Sequence, residues 1–216
     1  MIVYYRMCDI PSTNPSPIFQ ENKFKLNELC LRSFVKAFKD IKPKVVFLND
    51  FCDGRYNEME DRIVPFDKDI IKTEIGINAT CLKQYDLFLE QNEHDEVLFL
   101  ECDYFWVDSG KYLLDALKTL QFVSPYDHPD KYELNELSRI CYVGGRHWKS
   151  TSSTTSTFAT RRPNFELLKD LFYKHGYIDK ARWEEIGSRL YTPIPTLATH
   201  MVKSQLAPGI TYETFI

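Results

Sequence analysis

The sequence predicts an α/β fold in which a mostly parallel central sheet is flanked by helices. Short apolar runs typical of strands alternate along the chain with longer segments whose apolar residues recur at helical spacing. One run, 97–106 (VLFLECDYFW), is apolar enough to be the central strand of a sheet that is covered on both faces. Strands that alternate with helices favour parallel pairing with helices on both faces.

The first 73 residues contain three of the predicted elements. Residues 2–5 (IVYY) form a strand, and a loop rich in proline follows at 9–17. Apolar residues at intervals of three and four predict a helix over 26–38. A second short strand is expected at 44–48, and the charged segment 51–73 is expected to be an irregular surface excursion.

The same criteria divide the rest of the chain. A helix precedes the central strand, and a helix and a short strand follow it; two more helices are expected near the C-terminus. These elements are 76–90, 97–106, 111–120, 121–124, 164–174 and 179–188. The run 150–157 consists of eight consecutive Ser and Thr residues, and we expect a strand or strand-loop whose hydroxyls face solvent.

Composition limits both the size and the class of the protein. With 216 residues and 44% hydrophobic content, the chain can bury one substantial core, so we expect a single domain over 1–216, either by itself or as one domain of a longer polypeptide. The formal net charge of -4 argues against nucleic acid as a partner. Six scattered cysteines without a CxxC pair indicate reduced thiols and a cytoplasmic location. No apolar run is long enough to span a membrane.

Polar side chains follow three of the predicted strands at the point where each strand ends. In a parallel sheet these ends meet at one edge, which is where open α/β folds bind ligands. The residues are Arg6, Asp9, Asn49, Asp50, Glu101 and Asp103.

Glu101 and Asp103 are the candidate metal ligands among these residues. In an extended chain, their i, i+2 spacing turns both side chains to the same side. Mg²⁺ and Mn²⁺ take oxygen ligands and commonly bind one or two carboxylates together with substrate phosphates. The alternative is that acidic residues simply end a strand at the solvent surface. The sequence has no GxGxxG, GxSxG or P-loop motif, which weakens the dehydrogenase, hydrolase and P-loop alternatives.

Four segments resemble the GT-A class of nucleotide-sugar glycosyltransferases, and in particular small enzymes encoded by large algal viruses (chlorovirus type) and phages. They are 99–104 (FLECDY), 123–132 (VSPYDHPDKY), 147–151 (HWKST) and 196–200 (TLATH). The resemblance implies a Rossmann-like nucleotide-binding half over about 1–107 and an acceptor half over about 108–216. In this class a DxD motif binds the metal that bridges the donor diphosphate. Here Glu101 departs from the motif, whereas Asp103 is retained.

The resemblance also implies a set of ligands and their binding residues. The donor is expected to be a UDP-sugar, and the metal Mn²⁺ or Mg²⁺, held by Asp103, Glu101 and His200. We expect His200 to lie on an ordered loop, because prolines precede it. The residues predicted to bind the nucleotide sugar are Arg6, Asp9, Asn49, Asp50, Asn78 and Lys83. Asp50 is equally suited to cap the loop that follows it.

The acceptor and the reacting carboxylate are predicted from two further segments. Asp127 is the candidate catalytic residue, either as a general base or as a carboxylate on the opposite face of the sugar. The alternative is a proline-bounded turn in which Asp127 caps backbone groups. His128 and His147 are the candidate acceptor-binding residues, with the Trp148 ring stacked on a sugar face.

The sequence therefore predicts a metal-dependent glycosyltransferase that moves a hexose or deoxyhexose to a glycan or glycoprotein acceptor. It is expected to act as a monomer or weak oligomer in the cytoplasm, or in the host cytoplasm if the protein is viral. Two alternatives from other classes remain open. One is a metal-dependent nucleotidyltransferase or phosphotransferase with the same acidic strand end, and the other is a non-catalytic carbohydrate-binding module.

Overall fold

The computed structural model describes residues 1–11, 14–134, 137–187 and 189–215. Its strands are β1 (Ile2–Cys8), β2 (Lys44–Asp50), β3 (Lys68–Thr73), β4 (Glu96–Glu101), β5 (Tyr104–Trp106), β6 (Phe122–Val123), β7 (Ile140–Val143), β8 (Arg146–Thr151), β9 (Phe158–Arg161), β10 (Leu190–Ile194) and β11 (Ala198–His200). Its α-helices are α1 (Lys23–Phe38), α2 (Gly54–Ile63), α3 (Ile77–Glu90), α4 (Lys111–Leu117), α5 (Asp130–Glu133), α6 (Arg162–His175) and α7 (Asp179–Ile186).

A nine-stranded sheet organises the described residues, in the order β3-β2-β1-β4-β9-β6-β10-β8-β7. Strands β3, β2, β1 and β4 pair in parallel, and β6 pairs in parallel with β10. Only β8 and β9 run against the common direction, since every antiparallel pair in this sheet contains one of them. Strands β5 and β11 form a separate two-stranded antiparallel sheet. The predicted α/β class and mostly parallel sheet are confirmed.

Both faces of the central sheet are covered by helices. Successive side chains of β1 point to opposite faces and show this arrangement. Tyr5 belongs to the apolar cluster under α1, α2 and α4, whereas Tyr4 belongs to the cluster under α3, α6 and α7. Phe34 on α1 and Phe172 on α6 lie at the centres of the two layers and are fully buried. Hence β1 is apolar at nearly every position.

The sheet crosses the predicted boundary between the two halves. Strand β4, which precedes residue 107, pairs with β9, which follows it. The division into a nucleotide-binding half and an acceptor half therefore stays a prediction, and it does not correspond to two separate sheets. Within the described ranges, no helix is long and apolar enough to cross a membrane. All six cysteines are free.

The segment 51–73 is not the irregular excursion that its charge suggests. It contains α2 and β3, and Asp53 caps α2 by accepting a hydrogen bond from the backbone N–H of Arg55 at 2.9 Å. Tyr56 and Met59 bury the apolar side of α2. Strand β3 is the parallel edge strand beside β2. The prediction was wrong here because only a few apolar residues face the core, and lysines border an edge strand.

The predicted central strand 97–106 is two strands. The chain leaves the main sheet after Glu101, turns at 102–103, and continues as β5 in the smaller sheet. Glu101 and Asp103 are therefore not two successive positions on one face of a strand. His200 ends strand β11 rather than lying on a loop.

The second half also contains strands that the sequence analysis did not predict. Strands β7, β8 and β10 extend the sheet beyond β6. Of the run 150–157, strand β8 includes only the first two residues, and five of the eight residues are buried rather than facing solvent. The predicted helix 179–188 ends at Ile186 in the structure. Its last residue, Ser188, and Ser12 and Thr13 of the predicted loop lie outside the described residues.

Candidate functional site

A cleft of about 380 Å³ lies at the carboxyl ends of β1, β2 and β4. Four predicted site residues line this cleft, namely Arg6, Asp50, Glu101 and Asp103. The loop after β1 and the first turn of α3 supply its apolar part, with Ile10, Pro11 and Ile77. The convergence expected from the parallel strand ends is therefore present for these four residues.

Asp103 and His200 meet at one side of this cleft. His200 Nε2 lies 3.5 Å from Asp103 Oδ2, and Lys23 Nζ lies 3.6 Å from the same oxygen. Burial acts to raise the pKa of Asp103, but the charges of Lys23 and His200 outweigh it and hold the pKa well below its usual range. Burial likewise acts to lower the pKa of His200, and Asp103 more than offsets this and raises it. Asp103 is therefore an anion that faces the ammonium of Lys23 and a histidine whose pKa it raises.

The orientation of the His200 ring is fixed by two neighbours. Its Nδ1 lies 2.9 Å from Oε1 of Gln205, so Nδ1 donates a hydrogen bond to that oxygen. The ring also stacks on Tyr104, which faces His200 across the β11–β5 pair, with ring centroids 5.1 Å apart. In the neutral ring the proton is on Nδ1, so that Nε2 carries the lone pair that a metal ion requires. That nitrogen is the one that faces Asp103.

Glu101 has a different partner from Asp103. Its Oε1 accepts a 2.7 Å hydrogen bond from Nη2 of Arg6, the residue opposite it in the β1–β4 pair. Arg6 also donates from Nη1 to the carbonyl of Ile77 at 3.3 Å. Burial acts to lower the pKa of Arg6, and Glu101 outweighs it and raises that pKa. Arg6 and Glu101 are thus a buried ion pair at the floor of the cleft.

The donor chemistry of Asp103 and His200 fits a divalent cation. Two ligands of an octahedral ion, each at about 2.1 Å, lie about 3 Å apart, which is close to the observed 3.5 Å between Oδ2 and Nε2. Within the described ranges, no group of three or more His, Cys, Asp or Glu side chains is arranged to hold a metal ion. Two protein ligands leave the other positions to water and phosphate oxygens, as is common for Mg²⁺ sites that bind nucleotides.

The Ser and Thr run 150–157 supports the end of β4 beside the cleft. The hydroxyl of Thr157 accepts a 3.1 Å hydrogen bond from the backbone N–H of Glu101. Thr155 and the hydroxyl of Tyr104, on the other side of the 102–103 turn, are also hydrogen-bonded. Thr155 and Thr157 therefore hold the two strands between which Asp103 lies.

Asp50 shapes the opposite wall of the cleft as a cap. Its Oδ1 accepts hydrogen bonds from Thr73 Oγ1 at 3.0 Å and from the backbone N–H groups of Ile75 and Gly76 at 2.9 and 3.3 Å. Gly76 has a φ of 83°, which a residue with a side chain rarely adopts, and it begins α3 at the cleft wall. Asp50 thus has the capping role that the sequence analysis left open, in addition to its place in the lining.

The other four predicted nucleotide-binding residues do not line the cleft. Asp9 accepts a 2.6 Å hydrogen bond from Tyr56, and the amide of Asn49 donates to Glu60 at 3.1 Å. Asn78 accepts a hydrogen bond from the backbone N–H of Tyr177 at 3.4 Å. Lys83 is half-buried on α3. The structure does not bring these side chains together with Asp103.

Asp127 lies after β6, at the same edge of the sheet, and is 3% exposed. Its Oδ1 is 2.8 Å from Lys149 Nζ, and its Oδ2 accepts a hydrogen bond from the hydroxyl of Tyr132 on α5. The ammonium of Lys149 also lies 3.4 Å from the centroid of the Tyr132 ring. Both carboxylate oxygens of Asp127 therefore have partners within the protein.

The three predicted acceptor residues occupy different environments. The His128 ring packs 5.0 Å from the Tyr126 ring, which lies 6.2 Å from that of His200, so His128 is near the Asp103–His200 pair. His147 is exposed on β8 against Tyr142. Trp148 is fully buried and donates from its indole N–H to the carbonyl of Val143 at 3.2 Å. The Trp148 ring belongs to the core and is not exposed for stacking, so its predicted contact with a sugar stays a prediction.

Three residues of the site were missed by the sequence analysis. Lys23 and Gln205 contact the Asp103–His200 pair, and Thr157 supports Glu101. Gln205 lies on a short 3-10 helix after β11, and nothing in its local sequence marks it. Lys23 begins α1 directly after the N-cap residue Asn22, a position at which a lysine is usually solvated.

Several solved structures share this fold. A197 from STIV is 13% identical to the chain, with a TM-score of 0.52, and the match covers 96% of this chain and 91% of that one. A putative nucleotide-diphospho-sugar transferase from Desulfovibrio desulfuricans G20 is 9% identical, with a TM-score of 0.50 and coverage of 86% and 74%. The 4-diphosphocytidyl-2C-methyl-D-erythritol synthase from Anaerococcus prevotii DSM 20548 is 11% identical, with a TM-score of 0.50 and coverage of 99% and 94%.

These likenesses concern the fold. No protein-family model matches the sequence, and no curated protein matches it either. The chain has the α/β fold seen in a putative nucleotide-diphospho-sugar transferase and in a 4-diphosphocytidyl-2C-methyl-D-erythritol synthase. The resemblance to enzymes of algal viruses and phages stays a prediction.

Proposed function

We propose that the chain is a metal-dependent glycosyltransferase that moves a hexose or deoxyhexose from a UDP-sugar to a hydroxyl of a glycan or glycoprotein. One observation supports this more than any other. Asp103 and His200 place two metal-ligating atoms 3.5 Å apart beside a cleft at the carboxyl ends of parallel strands. Open α/β sheets bind nucleotides at such an edge.

In this proposal Asp103 Oδ2 and His200 Nε2 hold Mn²⁺ or Mg²⁺. The metal, when bound, acts as a Lewis acid on the phosphate oxygens and stabilises the negative charge of the leaving diphosphate. Glu101 positions Arg6 at the floor of the cleft, where the guanidinium attracts the same anion. The sugar–phosphate bond breaks, the acceptor oxygen bonds to the sugar, and the proton of the acceptor hydroxyl passes to a base.

Asp127 is our candidate for the reacting carboxylate. It lies at the same edge of the sheet, and His128 beside it is close to the His200 ring system. Because Lys149 and Tyr132 contact its two oxygens, reaction at Asp127 requires the α5 contact to open. We place this chemistry in the cytoplasm, in a monomer or weak oligomer, since six free thiols are compatible with a reducing compartment.

Nucleotide binding tests the proposal. UDP, GDP and CMP are titrated by calorimetry, each with Mn²⁺ and with a chelator, into the unchanged protein and into Asp103→Asn. We expect UDP to bind with Mn²⁺, and this binding to be lost with the chelator and in the variant. Asp61→Asn is the matched control, because Asp61 is an exposed carboxylate that pairs with Lys68 away from the cleft.

The products then separate the proposal from its alternatives. A glycosyltransferase releases UDP from a UDP-sugar and adds the sugar to an acceptor, whereas a nucleotidyltransferase releases diphosphate from a nucleoside triphosphate. Release of diphosphate would support the nucleotidyltransferase alternative. Binding of glycan without any nucleotide would support the carbohydrate-binding alternative. Either result would contradict the proposal.

A further inference from the structure

Lys23 is the residue of the cleft that the proposed chemistry does not yet use. Its side chain is 11% exposed and lines the cleft together with Arg6 and Asp103. The 3.6 Å between its Nζ and Asp103 Oδ2 is longer than a hydrogen bond. The side chain of a lysine is an ammonium at neutral pH, and the carboxylate of Asp103 faces it.

The backbone of Lys23 is held in place by the helix that it begins. Asn22 caps α1 by accepting a hydrogen bond from the backbone N–H of Lys25 at 2.9 Å. Further along α1, Leu26 and Cys30 pack against Met201, which directly follows His200. Lys23 therefore starts from a fixed point beside the Asp103–His200 pair, and only its flexible side chain is free to move.

The ammonium of Lys23 and a metal ion require the same carboxylate oxygen. His200 Nε2 and Lys23 Nζ both approach Oδ2 of Asp103. A divalent cation bound to Oδ2 at about 2 Å would lie within a few ångströms of the ammonium, and charges of the same sign repel strongly at that distance in a partly buried site. Lys23 must therefore move when the metal binds.

We propose that Lys23 exchanges Asp103 for a phosphate oxygen of the donor when a divalent cation binds Asp103. This inference rests on the proposed function. Arg6 cannot make this exchange, because the carboxylate that it pairs with, at 2.7 Å, is Glu101 and not Asp103. Lys23 has one long ion pair to give up among the described residues, and it lines the cavity in which the diphosphate would lie.

The exchange couples metal binding to donor binding. Metal alone must displace Lys23 from Asp103 without a new partner for the ammonium, so it binds weakly. Metal and nucleoside diphosphate together provide that partner, so each ligand strengthens the binding of the other by the same factor. Loss of the ammonium should consequently raise the affinity for metal alone and lower the affinity for the nucleoside diphosphate in the presence of metal.

Binding measurements on Lys23→Gln test this exchange. We expect Mn²⁺ alone to bind this variant at least about threefold more tightly than it binds the unchanged protein, because the competing ammonium is gone. We expect UDP in the presence of saturating Mn²⁺ to bind about tenfold more weakly, since a charged hydrogen bond to phosphate is lost. Lys25→Gln removes an exposed charge from the same turn of α1 and should leave both affinities unchanged.

A third variant separates this role from a structural one. Lys23→Arg keeps the charge and should restore most of the UDP affinity if the side chain binds phosphate. Unchanged Mn²⁺ and UDP affinities in Lys23→Gln would overturn the exchange while leaving the proposed function intact, and so would weakening of both. Absence of UDP binding by the unchanged protein would instead overturn the proposed function and this inference with it.

Discussion

Arg6 and Glu101 form a 2.7 Å ion pair across the carboxyl ends of two adjacent parallel strands. The arginine side chain is 8% exposed and the glutamate side chain 22% exposed. Two charges that are removed from water together must compensate one another, so each of these side chains is held in place by the other. Glu101, which the motif-based prediction makes a metal ligand, holds Arg6 against the cleft in this structure.

Arg6→Met should destabilise the fold. It leaves the Glu101 carboxylate partly buried without its cation, and breaking a buried pair in this way costs about 3 kcal/mol in the free energy of unfolding. Urea unfolding measures the loss. The double variant Arg6→Met with Glu101→Gln should recover part of the stability, because no uncompensated charge remains. Additive losses would show that the two side chains are not coupled.

Gln205→Met should weaken metal binding although Gln205 is not a proposed ligand. The variant removes the hydrogen bond that orients the His200 ring and fixes its proton on Nδ1. Loss of such a partner typically lowers metal affinity by about 10- to 100-fold. Mn²⁺ titration of the variant measures this. Ser204→Ala, which changes the exposed neighbouring side chain, is the control and should have no effect.

Stability should fall as the pH rises through the titration of Glu60. This side chain is fully buried on α2, and its Oε1 has no hydrogen-bond partner within the part of the chain that the structure describes. Burial raises the pKa of Glu60 to about 8, although the hydrogen bond from Asn49 partly opposes the shift. The folded protein therefore keeps a proton that the unfolded chain releases near its ordinary pKa of about 4.3.

The sign of the pH dependence follows from this difference. Between about pH 4.5 and 8 the unfolded state binds fewer protons than the folded state, so the free energy of unfolding falls with pH, by at most about 1.4 kcal/mol per unit. Glu60→Gln should remove this slope and be more stable than the unchanged protein at pH 8. Urea unfolding at pH 5, 6.5 and 8 measures both proteins. If the free energy of unfolding changed with pH in the same way for both proteins, the prediction would be contradicted.

Asp127→Asn and Lys149→Met should each destabilise the protein, because each leaves one buried member of the pair without its partner. A cost of about 3 kcal/mol is expected for either variant, and the double variant should cost less than the sum. Thermal or urea unfolding provides these values. Release of UDP from a UDP-sugar is then measured per folded molecule. A loss of turnover beyond the loss of folded protein supports the catalytic role of Asp127, and retained turnover limits it to the ion pair.

Trp148→Phe should lower stability and leave turnover unchanged. The indole is fully buried on β8, and the smaller ring leaves a cavity and removes the hydrogen bond to Val143, at a cost of about 1 to 3 kcal/mol. Urea unfolding and the UDP-release assay measure the two effects. Unchanged stability with reduced transfer would contradict this and support contact with the sugar. His147→Ala removes the exposed neighbour and should not affect folding.

Much of the nucleotide-side architecture could be predicted from local sequence pattern. The apolar runs of β1, β2 and β4 are strong signals because these strands bury most of their side chains, and the helical spacing in α1 and α3 is clear because each helix buries one apolar side. Parallel pairing then brings their polar ends to one edge, which is why Arg6, Asp50, Glu101 and Asp103 could be grouped without a structure. Elements with mixed exposure, such as α2, β3 and β7, lack this pattern.

The sequence by itself determined the fold class, the central strand and the edge of the sheet at which acidic residues gather. The tertiary structure alone decided which groups those residues meet. It joined Glu101 to Arg6, and Asp103 to Lys23 and His200, and it placed Trp148 in the core. The physical reason is that burial periodicity is local and can be detected in a short window, whereas ion pairs depend on strand order, on the turn at 102–103 and on the packing of α1 against the end of β11.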